Sequence, residues 1–145
     1  MKFQTILCPI DFSKYSEKIV EMATSLTSSN TIHLFHCLEI NTITDPQGFP
    51  MQLSNDMELL KSDHKEYNAF KEKITSLYPQ FNFTFEFERT HSVSESIIDY
   101  SKKVKADAIV MGSHGRSGLE RFLMGSVAES VMRESHKSVI LCKFA

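Results

Sequence analysis

Four of the chain's five glycines fall within "MGSHGRSGLERFLMGSVAES", between Met111 and Ser130. Gly112, Gly115 and Gly118 lie where the chain leaves an apolar stretch, and Gly125-Ser126 opens a helical pattern. Glycine lets backbone approach a ligand with no Cβ in the way, while the unpaired amides and dipole of a helix's first turn favour an anion. A phosphate chain is the guest this combination suits. Turn geometry alone would also account for the glycines taken one by one. Two phosphate motifs are excluded. A P-loop needs Lys before its Ser/Thr, but Gly125 precedes Ser126, and the dinucleotide fingerprint sits in the first βα turn, whereas this is the fourth.

Other residues could join that chemistry. His114, between Gly112 and Gly115, suits phosphate or ribose contact, or is an exposed loop histidine. Asp11 closes "ILCPID" and either caps a helix beginning near Ser13 or meets a ligand, two compatible roles. Arg116 and Arg121 pair with phosphates or with acidic neighbours such as Glu120. His33, His36, His64, His91 and His136 share no metal-ligand spacing and read as packing or surface residues. Cys8, Cys37 and Cys142, odd in number and set among apolar residues, read as small buried thiols of a reducing compartment.

The elements that must position these residues alternate along the chain. "KFQTILCPI" reads as a strand, followed by a helix with Tyr15, Ile19, Met22, Ala23 and Leu26 on its inner face. "TIHLFHCLEI" is the second strand, and Pro46, Gly48 and Pro50 then predict a loop over 41–50 without regular structure. From Met51 to Tyr78 one apolar stripe (Leu53, Met57, Leu60, Tyr67, Phe70, Ile74, Leu77) predicts a long helix, broken near Asn55. In "FNFTFEFER" phenylalanine alternates with polar residues, which suits a strand near a sheet edge. Ser92 and Glu95 have capping-box spacing ahead of a helix facing inward through Val93, Ile97, Tyr100 and Val104. "ADAIVMG" is wholly apolar and so central. A helix lined by Val127, Ala128, Val131 and Met132 follows the glycines, and "SVILCKF" ends the chain as a strand. Five strands alternating with four helices predict right-handed crossovers and a doubly wound parallel sheet in one domain, 1–145, with ligands outside the strands' carboxyl ends.

Composition narrows the partners. A formal charge of −2 with no Lys/Arg-rich run argues against nucleic acid. No apolar run approaches the roughly 18 residues of a membrane span, and the start lacks a signal peptide's apolar core, so the expected location is the cytoplasm.

The spacing Gly112, two residues, Gly115, nine residues, Gly125, Ser126 resembles the G-x2-G-x9-G-S/T signature of the ATP-binding branch of the universal stress protein family. "ILCPIDFS" and the element order extend the resemblance over the chain. It implies a five-stranded parallel sheet of order 3-2-1-4-5 and a bound adenine nucleotide: ATP, or ADP or AMP, with Mg²⁺ or Mn²⁺ carried by the nucleotide. Carried over position by position, it sets Pro9, Asp11 and Cys37 beside adenine and ribose, with Met111 bordering the adenosine. Gly112, His114 and Gly115 fall near ribose and phosphates, and Gly125, Ser126 and Val127 at the phosphate-gripping helix start. Many members have valine where this chain has Cys37, which keeps the site small and apolar but adds an oxidisable thiol. The resemblance also implies a homodimer paired antiparallel through the C-terminal strand, 138–144. Val139, Ile140, Leu141 and Cys142 make that edge apolar, with Lys137 and Lys143 as its alternative guard.

Hydrolysis asks for more than binding does. With no P-loop lysine and no carboxylate beyond Asp11 evidently near the phosphates, the expected role is a nucleotide-dependent stress-response or regulatory binding module. A slow ATPase and a nucleotide-independent interaction protein are the alternatives.

Overall fold

The computed structural model describes residues 2–40, 43–51, 56–114 and 124–143. Along the chain run β1 (Ile6–Pro9), α1 (Ser16–Leu26), β2 (Thr31–Glu39), β3 (Ile43–Thr44), β4 (Pro50–Met51), α2 (Asp56–Leu77), β5 (Asn82–Thr90), α3 (Val93–Lys103), β6 (Ala108–Gly112), α4 (Ser126–Glu134) and β7 (Ser138–Cys142). The main sheet has the spatial order β5-β2-β1-β6-β7, every pair parallel, which is 3-2-1-4-5 when its five strands are numbered along the chain. The winding reverses between β1 and β6, and a doubly wound sheet opens a crevice at that point.

Strand alternation divides the core between the two faces. Ile6, Cys8, Ile10 and Val110 pack with Ile19, Val20 and Ala23 of α1 and Ile74 of α2. Leu7, Phe35, Ile109 and Met111 pack on the other side with Ile97 of α3 and Ala128 and Val131 of α4. Because β1 and β6 are covered on both faces, neither shows apolar–polar alternation. Edge strand β5 does: Phe83 and Phe85 pack against the first core, while Thr84, Glu86 and Glu88 are exposed. The Ser92 hydroxyl accepts from the Glu95 amide at 3.4 Å and opens α3, as the capping spacing predicts.

Three local readings differ. Helix α1 begins at Ser16 and turns Ser16, Ile19, Val20 and Ala23 inward, leaving Met22 39% exposed. In α4 the inward residues are Ala128 and Val131, and Met132 points outward. Residues 43–51 form a small antiparallel hairpin in place of an irregular loop, Ile43 opposite Met51 and Thr44 opposite Pro50. Asp45 Oδ1 accepts the amides of Gln47 and Phe49 at 3.0 and 2.8 Å, and Gly48 supplies the left-handed φ of 89°. The residues that break longer elements here build a tight turn, and a two-stranded ribbon is all edge, where proline is tolerated. The expected break near Asn55 lies outside the described residues.

Candidate functional site

A cavity of about 470 Å³ opens at the carboxyl ends of β1, β2 and β6 and the start of α4. That volume falls within the range of small-molecule sites. Pro9, Asp11, Cys37, Met111, Gly112, His114, Gly125, Ser126 and Val127 all line it. The expected site residue Gly115 lies outside the described residues, as do Arg116, Gly118 and Arg121.

Each wall is built by identifiable local forces. Where β1 ends, the Ile10 amide donates to the Phe35 carbonyl at 2.9 Å and prolongs the parallel pairing with β2. Asp11 Oδ1 then accepts the Ser13 amide at 2.9 Å and the Ser16 hydroxyl at 3.4 Å. Asp11 thus forms the turn ahead of α1 instead of capping it; the cap position is Tyr15, which makes no side-chain cap bond. Phe12 takes a left-handed φ of 60°, a strained state for a large side chain, held by packing against the core and against His36, 4.3 Å away between ring centroids.

At the end of β6, Gly112 sits where space for a side chain is tight. A Cβ there would lie 3.2 Å from the His114 carbonyl oxygen and 3.3 Å from Ile19 Cδ1. The next residue is held through both of its backbone groups: the Ser113 amide donates to the Cys142 carbonyl at 3.0 Å, and the Ser113 carbonyl accepts from the Gly125 amide at 2.7 Å. Gly125 caps α4 with φ −61° and ψ 151° and no capping side chain, and it lines the cavity together with Ser126 and Val127 of the helix start. His114 Nδ1 lies 3.0 Å from the Ser113 hydroxyl, and its buried Nε2 has no hydrogen-bond partner among the described residues.

The electrostatics suit an anion at one end only. No Lys or Arg lines the cavity among the described residues, while Asp11, Glu39 and Asp63 do, all on the β1–β2 side. The end that suits negative charge is the α4 N-terminus, where the helix dipole favours it. Burial, followed by the neighbouring Glu88 carboxylate, pushes the Cys37 thiol from 9.0 up to about 12. Cys37 accordingly stays protonated near neutral pH and acts as a small apolar wall, with less thiolate character than an ordinary thiol. No group of three His, Cys, Asp or Glu residues is arranged to hold a metal ion among the described residues.

Among the cavity residues that sequence reasoning did not place there are His36 and Asp63. His36, read as packing or surface, is buried with its Nε2 2.8 Å from Asp63 Oδ2. The signal was present: Asp63 falls at helical spacing between Leu60 and Tyr67, a polar residue inside the apolar stripe of α2.

A parallel sheet that reverses its winding beside a glycine-bounded cleft belongs to the doubly wound α/β class. Within that class the chain belongs to the universal stress protein family, whose profile matches residues 2–143. The universal stress protein MJ0531 of Methanocaldococcus jannaschii is 30% identical over 144 residues, covering 97% of this chain and 82% of that protein. The universal stress protein UspA from Lactobacillus plantarum has the same fold with a TM-score of 0.80 at 18% identity, covering 99% of each chain. A universal stress protein from Archaeoglobus fulgidus, solved in complex with dAMP, has a TM-score of 0.60 at 19% identity and covers 99% of this chain and 100% of its own.

Proposed function

We propose that this protein is a regulatory binding module for an adenine nucleotide, with ATP as the ligand and ADP or AMP as its shorter forms. The observation that carries the reading is the convergence of Pro9, Asp11, Cys37 and Met111 with Gly112, His114 and the Gly125–Val127 helix start around one cavity. The base would lie in the apolar slot between Pro9, Cys37 and Met111, with the ribose hydroxyls toward Asp11. The phosphates would lie at the backbone amides opening α4, with Gly115 completing their turn and the Ser126 hydroxyl as a further donor. A divalent ion would ride on the phosphates, since the described residues offer it no cluster of their own. The dAMP bound by the Archaeoglobus fulgidus relative supports an adenine nucleotide as the ligand class.

Holding is favoured over cleaving. The described lining has no cation to neutralise charge developing in transfer of the γ-phosphate. Calorimetric titration of the purified protein with ATP, ADP, AMP and cyclic AMP tests the reading, together with mass spectrometry of small molecules released on denaturation. Affinity in the micromolar range for at least one adenine nucleotide supports it. An empty protein that binds none of the four overturns it in favour of a nucleotide-independent interaction protein.

A further inference from the structure

The pairing of His36 with Asp63 belongs to the cleft but not to the glycine motif. The two side chains come from β2 and α2, and each residue is at most 3% exposed. His36 Nδ1 lies 2.7 Å from the Ile10 carbonyl oxygen, which can only accept, so Nδ1 carries a hydrogen. Nε2 therefore meets Asp63 Oδ2, at 2.8 Å, across a single shared proton. Phe12 and Phe87 flank the ring, with centroids 4.3 and 5.3 Å away. With both nitrogens engaged and aromatic rings beside it, the imidazole presents no hydrogen-bonding atom to a ligand. Its action on the cleft must pass through what it holds.

What it holds lies on both sides of the cavity wall. The Ile10 carbonyl belongs to the turn that carries Asp11, and Asp63 belongs to the N-terminal part of α2; Ile10, Asp11, His36 and Asp63 all line the cavity. Farther along α2 the anchors to the sheet are apolar, through Tyr67, Phe70 and Ile74. A buried ionisable pair contributes little net stability, because desolvation offsets most of its attraction, and apolar residues would pack that position at no loss. Its best-attested use is to impose one arrangement out of several.

We propose that His36 and Asp63 form a positioning latch that docks the N-terminal part of α2 on the β2 side of the cleft and holds the Asp11 turn in its binding geometry. Docking of α2 and binding of nucleotide are then linked. If the latched state is only a fraction of the population, apparent affinity falls by that fraction, and bound nucleotide restores the latch by the same factor. This coupling rests on the nucleotide reading of the cleft, whereas the latch itself is a property of the ligand-free chain.

Hydrogen exchange of α2 peptides and ATP calorimetry on the full chain test it, using Asp63→Ala and Asp63→Asn. Alanine removes the partner of Nε2. Asparagine can donate an amide hydrogen to that nitrogen and keep the bond without the charge. In the ligand-free Asp63→Ala protein, exchange at 61–70 should rise about tenfold with the sheet unaffected, and ATP affinity should fall in proportion to the latched fraction that is lost. Asp63→Asn should recover most of both losses, and its His36 Nε2 nitrogen should show the chemical shift of an acceptor. Lost affinity with α2 exchange unchanged would mean that Asp63 contacts the ligand directly and would overturn the latch, as would failure of asparagine to recover either quantity. Should the alanine variant not fold, wild type decides: ATP must slow exchange at 61–70, and bound ATP that leaves those amides untouched overturns the proposal. A wild type that binds no nucleotide defeats the nucleotide reading and the coupling together, while the ligand-free exchange comparison still decides the latch.

Discussion

The amide of Gly125 donates to the carbonyl of Ser113 at 2.7 Å, joining the residue that follows β6 to the residue that caps α4. The Ser113 amide is itself bonded to Cys142 of β7, so the two ends of the glycine-rich excursion are referred to the sheet. The backbone at the cleft floor is thereby held in place before any ligand arrives, which lowers the ordering cost of binding.

Gly125→Val should abolish nucleotide binding while leaving the fold intact. At φ −61° and ψ 151° valine meets no backbone strain, so its effect is confined to the side chain entering the cleft at the helix start. Circular dichroism should be unchanged and calorimetry should show at least about a hundredfold loss, some 2.7 kcal/mol. Equal affinity in the two proteins would remove the α4 N-terminus from the site.

Gly112→Ala tests close packing beneath the same floor. The added methyl meets the His114 carbonyl at 3.2 Å, and a backbone atom cannot swing aside as a flexible side chain would. Overpacking of this kind costs about 1–3 kcal/mol, a fall of several degrees in melting temperature for a chain of this size. An unaltered melting curve would mean that the turn yields.

Turnover should be slow. With no Lys or Arg lining the described cleft, ATP hydrolysis is expected below about 1 s⁻¹, the low end of ordinary enzymes. Phosphate release measured on protein freed of contaminating ATPase checks this. A faster rate that disappears in Gly115→Ala with the fold preserved would establish an ATPase.

The Cys37 thiol sets a pH dependence of stability whose sign follows from linkage. Its ionisation moves from 9.0 up to about 12 in the folded chain, so above pH 9 the unfolded state has lost a proton that the native state keeps. Stability from this group is whole below 9.0 and is lost as pH rises toward 12, by about 2 kcal/mol near pH 10.5. Urea midpoints should therefore fall more steeply with pH in wild type than in Cys37→Val. Parallel slopes would show the thiol to be ordinary.

The outer edge of β7 should pair with a second copy. The Cys142 carbonyl points toward β6, where it meets the Ser113 amide, and alternation along a parallel strand then turns the amides of Val139 and Leu141 outward. A copy related by a two-fold axis would pair with that row. Leu141→Pro removes one outward donor and should shift the protein toward monomer. Sedimentation at micromolar concentrations reads the outcome, and a monomeric wild type, with or without ATP, would exclude the interface.

The element types and the glycine-rich turn were legible along the chain because both depend on local patterns, whereas the sheet order and the individual ligand positions followed only from the family resemblance. Apolar runs and helical stripes report which face of an element is buried, and the run from Gly112 to Ser126 reports where backbone must come close to a guest. The exchange of Met22 for Val20 on α1 was less legible, since both are apolar and only the direction from which the sheet approaches separates them.

Partner choice between distant residues was left to the tertiary structure. Asp63 interrupts an apolar stripe and His36 sits in an apolar strand, and each taken alone reads as a flaw in its pattern. They are 27 residues apart, and only the packing of α2 on β2 closes them to 2.8 Å. The small hairpin over 43–51 shows the same division: its Pro and Gly mark a reversal of the chain, but whether the flanks then pair depends on the turn that Asp45 closes. Periodicity records how a residue faces, and long-range packing decides what it faces.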